Sequence, residues 1–144
     1  AAVGMAEGGL ARLLKTGVQL VVWDYRPDLA PSDPNPAFAA KLLALPEGTT
    51  PPPLLATSYK GGDRCDGVLP DETARRRNQQ AWLAWTDQTG AAPRLGGVVL
   101  TGWSRFGHLM PLTEPFAAGV PSLLTALALW SQPPPLRAAQ AQAQ

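Results

Sequence analysis

Residues 96–105, GGVVLTGWSR, decide how this 144-residue chain is read. Gly96 and Gly97 open the stretch, and Val98, Val99 and Leu100 form a short apolar run. Thr101 and Gly102 follow, and Trp103 stands beside Ser104 and Arg105. A continuous apolar run bounded by turn residues predicts a strand buried on both faces, as in a parallel sheet. Gly102 lets the backbone leave that strand in close packing. Trp103 then emerges at the strand's C-terminal end, where barrels and open α/β sheets bind their ligands. A tryptophan at that position either caps the core or lines a site.

Two earlier stretches have the same form. In GVQLVVWDY, Val18, Leu20, Val21 and Val22 favour a strand whose exit is Trp23-Asp24-Tyr25. In LLATSYK, residues 54–60, a second strand ends at Ser58-Tyr59-Lys60 before Gly61 and Gly62. Helical spacing fills the intervals. Met5, Leu10, Leu13 and Leu14 predict a first helix, with Gly17 as its stop. PAFAAKLLAL, residues 36–45, predicts a second, with Phe38, Leu42 and Leu45 on one side.

The segment 71–86 is the clearest helix. Asp71 is placed to cap it, Asp71/Arg75 and Glu72/Arg76 have i,i+4 spacing, and Gly90 lies beyond its end. Trp82 and Trp85, three apart, are expected to face the core. Arg75, Arg76 and Arg77 read as a solvated face. A last helix is expected over 121–130, with Leu123, Leu124, Leu127 and Trp130 as its apolar stripe and Pro121 in its first turn. The tail, residues 131–144, has little to bury and is expected to be extended or disordered.

The order is helix, strand, helix, strand, helix, strand, helix, which calls for a parallel α/β sheet with right-handed crossovers. All three strand exits then lie on one rim: Trp23, Asp24 and Tyr25; Tyr59 and Lys60; Trp103 and Arg105. Three parallel strands leave two edges of unpaired backbone groups. The unit is therefore expected to fit better as part of a closed barrel than as a free domain, and to be a piece of something larger.

Composition excludes several classes. The 16 prolines and 14 glycines point to many loops, and a net charge of +1 gives nucleic acid no electrostatic footprint. The single cysteine, Cys65, permits no internal disulfide. No apolar run approaches the roughly 20 residues a membrane span needs. Residues 1–9, AAVGMAEGG, do not read as a signal peptide, so a cytoplasmic location is expected. No G-x-G-x-x-G follows a strand and no P-loop is present, so neither cofactor nor metal is expected. His108, the lone histidine, reads as a surface or capping residue.

Taken in order, VVWDY, LLATSYKGG, RNQQAWLAW, GVVLTGWSR and AAGVPSLLTALALW resemble hexosaminidase D-like members of glycoside hydrolase family 20, a (β/α)8-barrel family. The likeness covers about Gly17 to Trp130 and implies strands six to eight of the barrel, so that residues 1–130 would be the last three βα units of a (β/α)8 TIM barrel. It implies removal of terminal N-acetylhexosamine with retention, the substrate's own acetamido oxygen attacking the anomeric carbon. It also implies an Asp-Glu pair on the fourth strand, which nothing in this chain matches in position. Asp71-Glu72 opens a helix and reads as a cap, so no catalytic residue is assigned here. Trp103 matches the family's eighth-strand tryptophan, which stacks on the sugar ring, and Trp23 would be a second wall. Asp24, Tyr25, Tyr59, Lys60 and Arg105 would meet sugar hydroxyls or the acetamido group. Phe106 and Gly107 stand where relatives often carry tyrosine and aspartate. That departure leaves room for the alternative of an inactive barrel remnant serving as a structural subunit of a larger assembly.

Overall fold

The computed structural model describes residues 9–48, 50–60, 70–103 and 119–132. The three apolar runs form strands β1 (Val21–Trp23), β2 (Leu54–Lys60) and β3 (Gly97–Gly102). They pair in the order β1-β2-β3, both pairs parallel. Helices α1 (Gly9–Leu14), α2 (Pro34–Leu43), α3 (Glu72–Thr89) and α4 (Val120–Ser131) alternate with them, and a short 3-10 turn (Ala92–Arg94) leads into β3. The result is three consecutive βα units in an open parallel sheet, the arrangement of the last part of a (β/α)8 barrel.

Register determines which side chains share a face. Val22, Leu55 and Val98 are aligned across the sheet. With Ala39, Leu42 and Leu43 of α2, Trp82 and Trp85 of α3, and Trp130 of α4, they make up the hydrophobic core. The two indoles meet edge to face with centroids 5.6 Å apart, as expected for quadrupole-bearing rings. Trp23, Ala56 and Val99 align in the same way on the opposite face. There Val21 and Trp23 of β1 and Val99 of β3 are exposed. The helices thus cover one face, although a parallel sheet normally has both covered.

This corrects the reading of β3 as the strand buried on both sides. Val99 is 39% exposed, whereas Leu55 to Lys60 of β2 are all buried. Among the described residues β3 has a strand neighbour on one side only, and β2 has one on each. β1 is shorter than expected because only Val21–Trp23 lie opposite β2. Single backbone bonds, Leu54 N to Leu20 O and Asp24 N to Ala56 O, extend the ladder at either end.

Helix ends follow the expected chemistry at α3. The Asp71 carboxylate accepts from the Ala74 amide at 2.9 Å. Gly90 takes the left-handed conformation (φ 62°), so that Ala91 N reaches Thr86 O and Gly90 N reaches Asp87 O. Helix faces differ from expectation in three places. Phe38 is exposed, while α2 buries Leu42 as expected, together with Ala39 and Leu43. Arg75 is buried, while Arg76 and Arg77 are exposed, Arg77 pairing with Asp28. On α4 the buried residues are Ser122 and Ala126, and Leu124 is 60% exposed. Small side chains let α4 lie close to its neighbours, which turns part of its leucine stripe outward. No described helix is long and apolar enough to cross a membrane. Cys65, Arg105, His108 and the tail beyond Gln132 lie outside the described residues.

Trp82 is fully buried and also donates from Nε1 to Asp24 O at 3.0 Å. Trp82→Ala is expected to lower stability by about 3–5 kcal/mol, read as the shift in a urea unfolding midpoint. Trp82→Phe, which keeps most of the ring but not the donor, is expected to cost clearly less.

Candidate functional site at the strand exits

The residues following β1 are held from behind by α3. Its positions 75, 78, 79 and 82 fall on one helical stripe, and all four side chains are buried. Asn78 Nδ2 donates to Asp24 O (3.0 Å) and Arg26 O (2.5 Å). Arg75 Nη1 donates to Tyr25 O (3.1 Å), and Trp82 Nε1 also reaches Asp24 O. Three consecutive carbonyls, at residues 24 to 26, are thereby satisfied by one helix. Asn78 Oδ1 accepts from Thr57 Oγ1 of β2 at 2.5 Å. Gln79 joins Ser58 O to the Trp130 indole, donating from Nε2 (3.3 Å) and accepting at Oε1 (2.6 Å).

With its backbone fixed, the β1 exit presents an aromatic row. Tyr25 lies between Trp23, at a centroid distance of 5.4 Å, and Trp103, at 6.0 Å. Tyr25 is buried, but Trp23 is 60% and Trp103 47% exposed. Trp103 is oriented by its amide, which donates to Lys60 O (2.8 Å), and by Nε1, which donates to Thr101 Oγ1 (3.0 Å). Thr101 Oγ1 in turn donates to Thr57 O (2.9 Å). The row offers two partly exposed indole surfaces with polar edges, suited to the apolar face of a ligand.

The other candidates are placed differently. The Asp24 carboxylate is buried and accepts from Arg26 N (3.1 Å), Arg26 Nε (3.0 Å) and Arg26 Nη2 (2.6 Å), and from Asn35 Nδ2 (3.1 Å). Burial, the largest single influence, pushes this carboxyl up. The hydrogen bonds from Arg26 and Asn35, with the Arg26 charge, outweigh it and hold Asp24 below the usual carboxylate range. The same bond to Asp24 raises the Arg26 guanidinium. Asp33 adds a second acid beside Arg26 at 3.3 Å.

Tyr59 is buried, its ring wedged between Gly102 and Gly119. A Cβ at Gly102 would lie 2.7 Å from Tyr59 Cζ, and one at Gly119 would lie 3.0 Å from Tyr59 Cε2. Glycine at 102 is what admits the ring, so the close packing expected there is present. Lys60 is buried at the β2 exit, and Arg105 lies outside the described residues. The structure therefore gathers Trp23, Tyr25 and Trp103 into one row, with Asp24 held by Arg26 and Asn35. Among the described residues no group of three or more His, Cys, Asp or Glu side chains could hold a metal ion.

Arg75, Asn78 and Gln79 had not been singled out as site residues. Their signal was available: they continue, toward the helix N-terminus, the stripe that Trp82 begins.

No family model matches the chain. It is similar to hexosaminidase D of Homo sapiens, 31% identical over 128 residues, covering 87% of this chain and 24% of that protein. It is also similar to hexosaminidase D of Bos taurus, 34% identical over 74 residues, covering 50% of this chain and 20% of that protein. The chain spans at most about a quarter of the length of these relatives. The relationship is one of distant homology, joined to a partial β/α-barrel fold.

Asn78→Ala is expected to cost about 1–3 kcal/mol for each carbonyl left unsatisfied and to loosen Tyr25, measurable as faster amide exchange around residues 24–26. The depressed Asp24 carboxyl contributes stability that is present above the unfolded carboxylate value, about 3.9, and lost as pH falls through its lower folded value. Asp24→Asn is expected to reduce stability at pH 7 by about 1.5–3 kcal/mol. It should also flatten the acid limb of the stability–pH curve below about pH 4.

Proposed function

We propose that this chain supplies one wall of the sugar pocket of a retaining exo-β-N-acetylhexosaminidase. The observation that carries the reading is the Trp23–Tyr25–Trp103 row at the C-terminal ends of parallel strands, in a chain similar to hexosaminidase D. Residues 9–131 then belong to the last three βα units of a barrel whose earlier strands complete the pocket.

In this reading the Trp103 indole stacks on the apolar face of a terminal N-acetylhexosamine and Trp23 closes the side of the pocket. Tyr25, buried between them, sets their spacing. Asp24 works at one remove: its oxygens are engaged by Arg26 and Asn35, so it fixes the β1 exit while Arg26 faces outward. Lys60 and Arg105 are the basic groups assigned to sugar hydroxyls, and Tyr59 supports the β3 exit from beneath Gly102. The chemistry follows the family resemblance. The substrate's acetamido oxygen bonds to the anomeric carbon as the glycosidic C–O bond breaks, and an acid of the remaining barrel protonates the leaving oxygen. Water then reopens the cyclic intermediate with retained configuration. Asp71 is occupied with capping α3, which sets the Asp71-Glu72 pair apart from that acid role.

A second reading, an inactive barrel remnant acting as a structural subunit, draws on the internal engagement of Asp24 and on Phe106-Gly107. An Asp-Glu pair at a strand end elsewhere in the same polypeptide favours the enzyme, and its absence favours the scaffold.

The full-length protein is expected to release the chromophore from aryl N-acetyl-β-glucosaminide or galactosaminide, and residues 1–144 alone to be inactive. Trp103→Ala should lower kcat/KM by about tenfold or more, the equivalent of roughly 1.4 kcal/mol of lost transition-state contact. Unchanged turnover by that variant would remove Trp103 from the site.

A further inference from the structure

A cavity of about 410 Å³ opens between α3 and α4 on the outer side of the sheet. Its lining is rich in hydrogen-bond donors: Arg75, Arg76, Arg77 and Gln79 from α3, and Ser122 and Thr125 from α4. Against the three arginines, Glu72 is the only acid among the described residues of the lining. Ser122 is 5% exposed, and its Oγ has no hydrogen-bond partner among the described residues. A buried hydroxyl left in that state is costly. It also faces a cavity large enough to hold a ligand.

The opening turn of α4 adds to this. The 12-residue helix begins at Val120, its cap residue Gly119 has no side chain to cap it, and Ser122 and Thr125 lie on one face of its first two turns. The positive end of a helix dipole favours an anion near such a turn. Arg75 is the buried cation of the cavity, and its Nη1 is bonded to Tyr25 O. Positive charge and an unpartnered hydroxyl thus converge on one volume beside the first two turns of α4.

We propose that this cavity is an oxyanion site, which takes a phosphate or sulfate group, free or at the end of a larger ligand. The Arg76 guanidinium and Ser122 Oγ donate to it, and the buried Arg75 charge offsets the cost of removing it from water. The assignment is independent of the carbohydrate reading, because none of these residues belongs to the aromatic row. The two sites share one link. The guanidinium that lines the cavity also holds the carbonyl of Tyr25, so an anion bound there bears on the middle ring of the row.

The test is isothermal titration of the full-length protein with inorganic phosphate, with sulfate, and with chloride at matched ionic strength. Thermal unfolding in the same solutions supplies a second readout. Saturable heat and a rise in Tm with phosphate or sulfate, absent with chloride, are expected. Arg76→Gln and Ser122→Ala should each weaken binding about tenfold. Arg12→Gln, an exposed arginine of α1 outside the cavity lining, should leave it unchanged. Phenyl phosphate separates the two sources: affinity equal to that for inorganic phosphate identifies the group alone as the ligand, and tighter binding identifies a larger phosphorylated molecule. The proposal is overturned if wild-type protein shows no saturable response beyond chloride, or if Arg12→Gln weakens binding as much as the cavity variants do.

Discussion

One contact set holds the rest in place: the buried edge of α3 grips the backbone where β1 ends. Carbonyls at three successive positions cannot be paired by the short β1 ladder, and burying them bare would be prohibitive. Asn78, Arg75 and Trp82 satisfy them from a single helix, and Asn78 also receives the Thr57 hydroxyl from the central strand. The helix is thereby registered against two strands at once through directional bonds. Apolar packing of Trp82 and Trp85 supplies the bulk of the attraction. The polar edge determines where along the sheet that packing occurs.

The aromatic row follows from that constraint. With residues 24–26 held from the helix side, the side chains of Trp23 and Tyr25 are left to the opposite face. Trp103 is brought to meet them by the register of β3 on β2 and by its own amide bond to Lys60. Asp24 illustrates the division of labour at this rim. It is the acid nearest the row in sequence, yet its geometry gives it an internal role, balancing Arg26 and tying in Asn35 at the start of α2.

Much of this was legible from residue patterns. Apolar runs bounded by glycine and proline located all three strands, and the alternation with helices implied their parallel order. Asp71 and Gly90 marked the ends of α3 correctly because capping is local chemistry. What was not legible depends on neighbours. Val98 to Leu100 look as apolar as Leu54 to Ala56, but burial is decided by the number of flanking strands, which residue type does not encode. Arg75 looks like Arg76 and Arg77, and its burial becomes visible only when the stripe through Asn78, Gln79 and Trp82 is extended backward. The leucine spacing of α4 predicts an inner face that the structure turns partly outward. Close approach to the sheet favours serine and alanine there, a preference set by distance between elements and not by hydrophobicity.

The apolar residues that the outer strands leave exposed on one face of the sheet have a practical consequence. Val21, Trp23 and Val99 leave apolar surface in water on a side where parallel strands are ordinarily sheltered. At about 25 cal/mol for each Å², even a modest strip of this kind makes solubility conditional on company. The chain's yield and oligomeric behaviour in a recombinant host should therefore depend on whether this strip is sheltered from water.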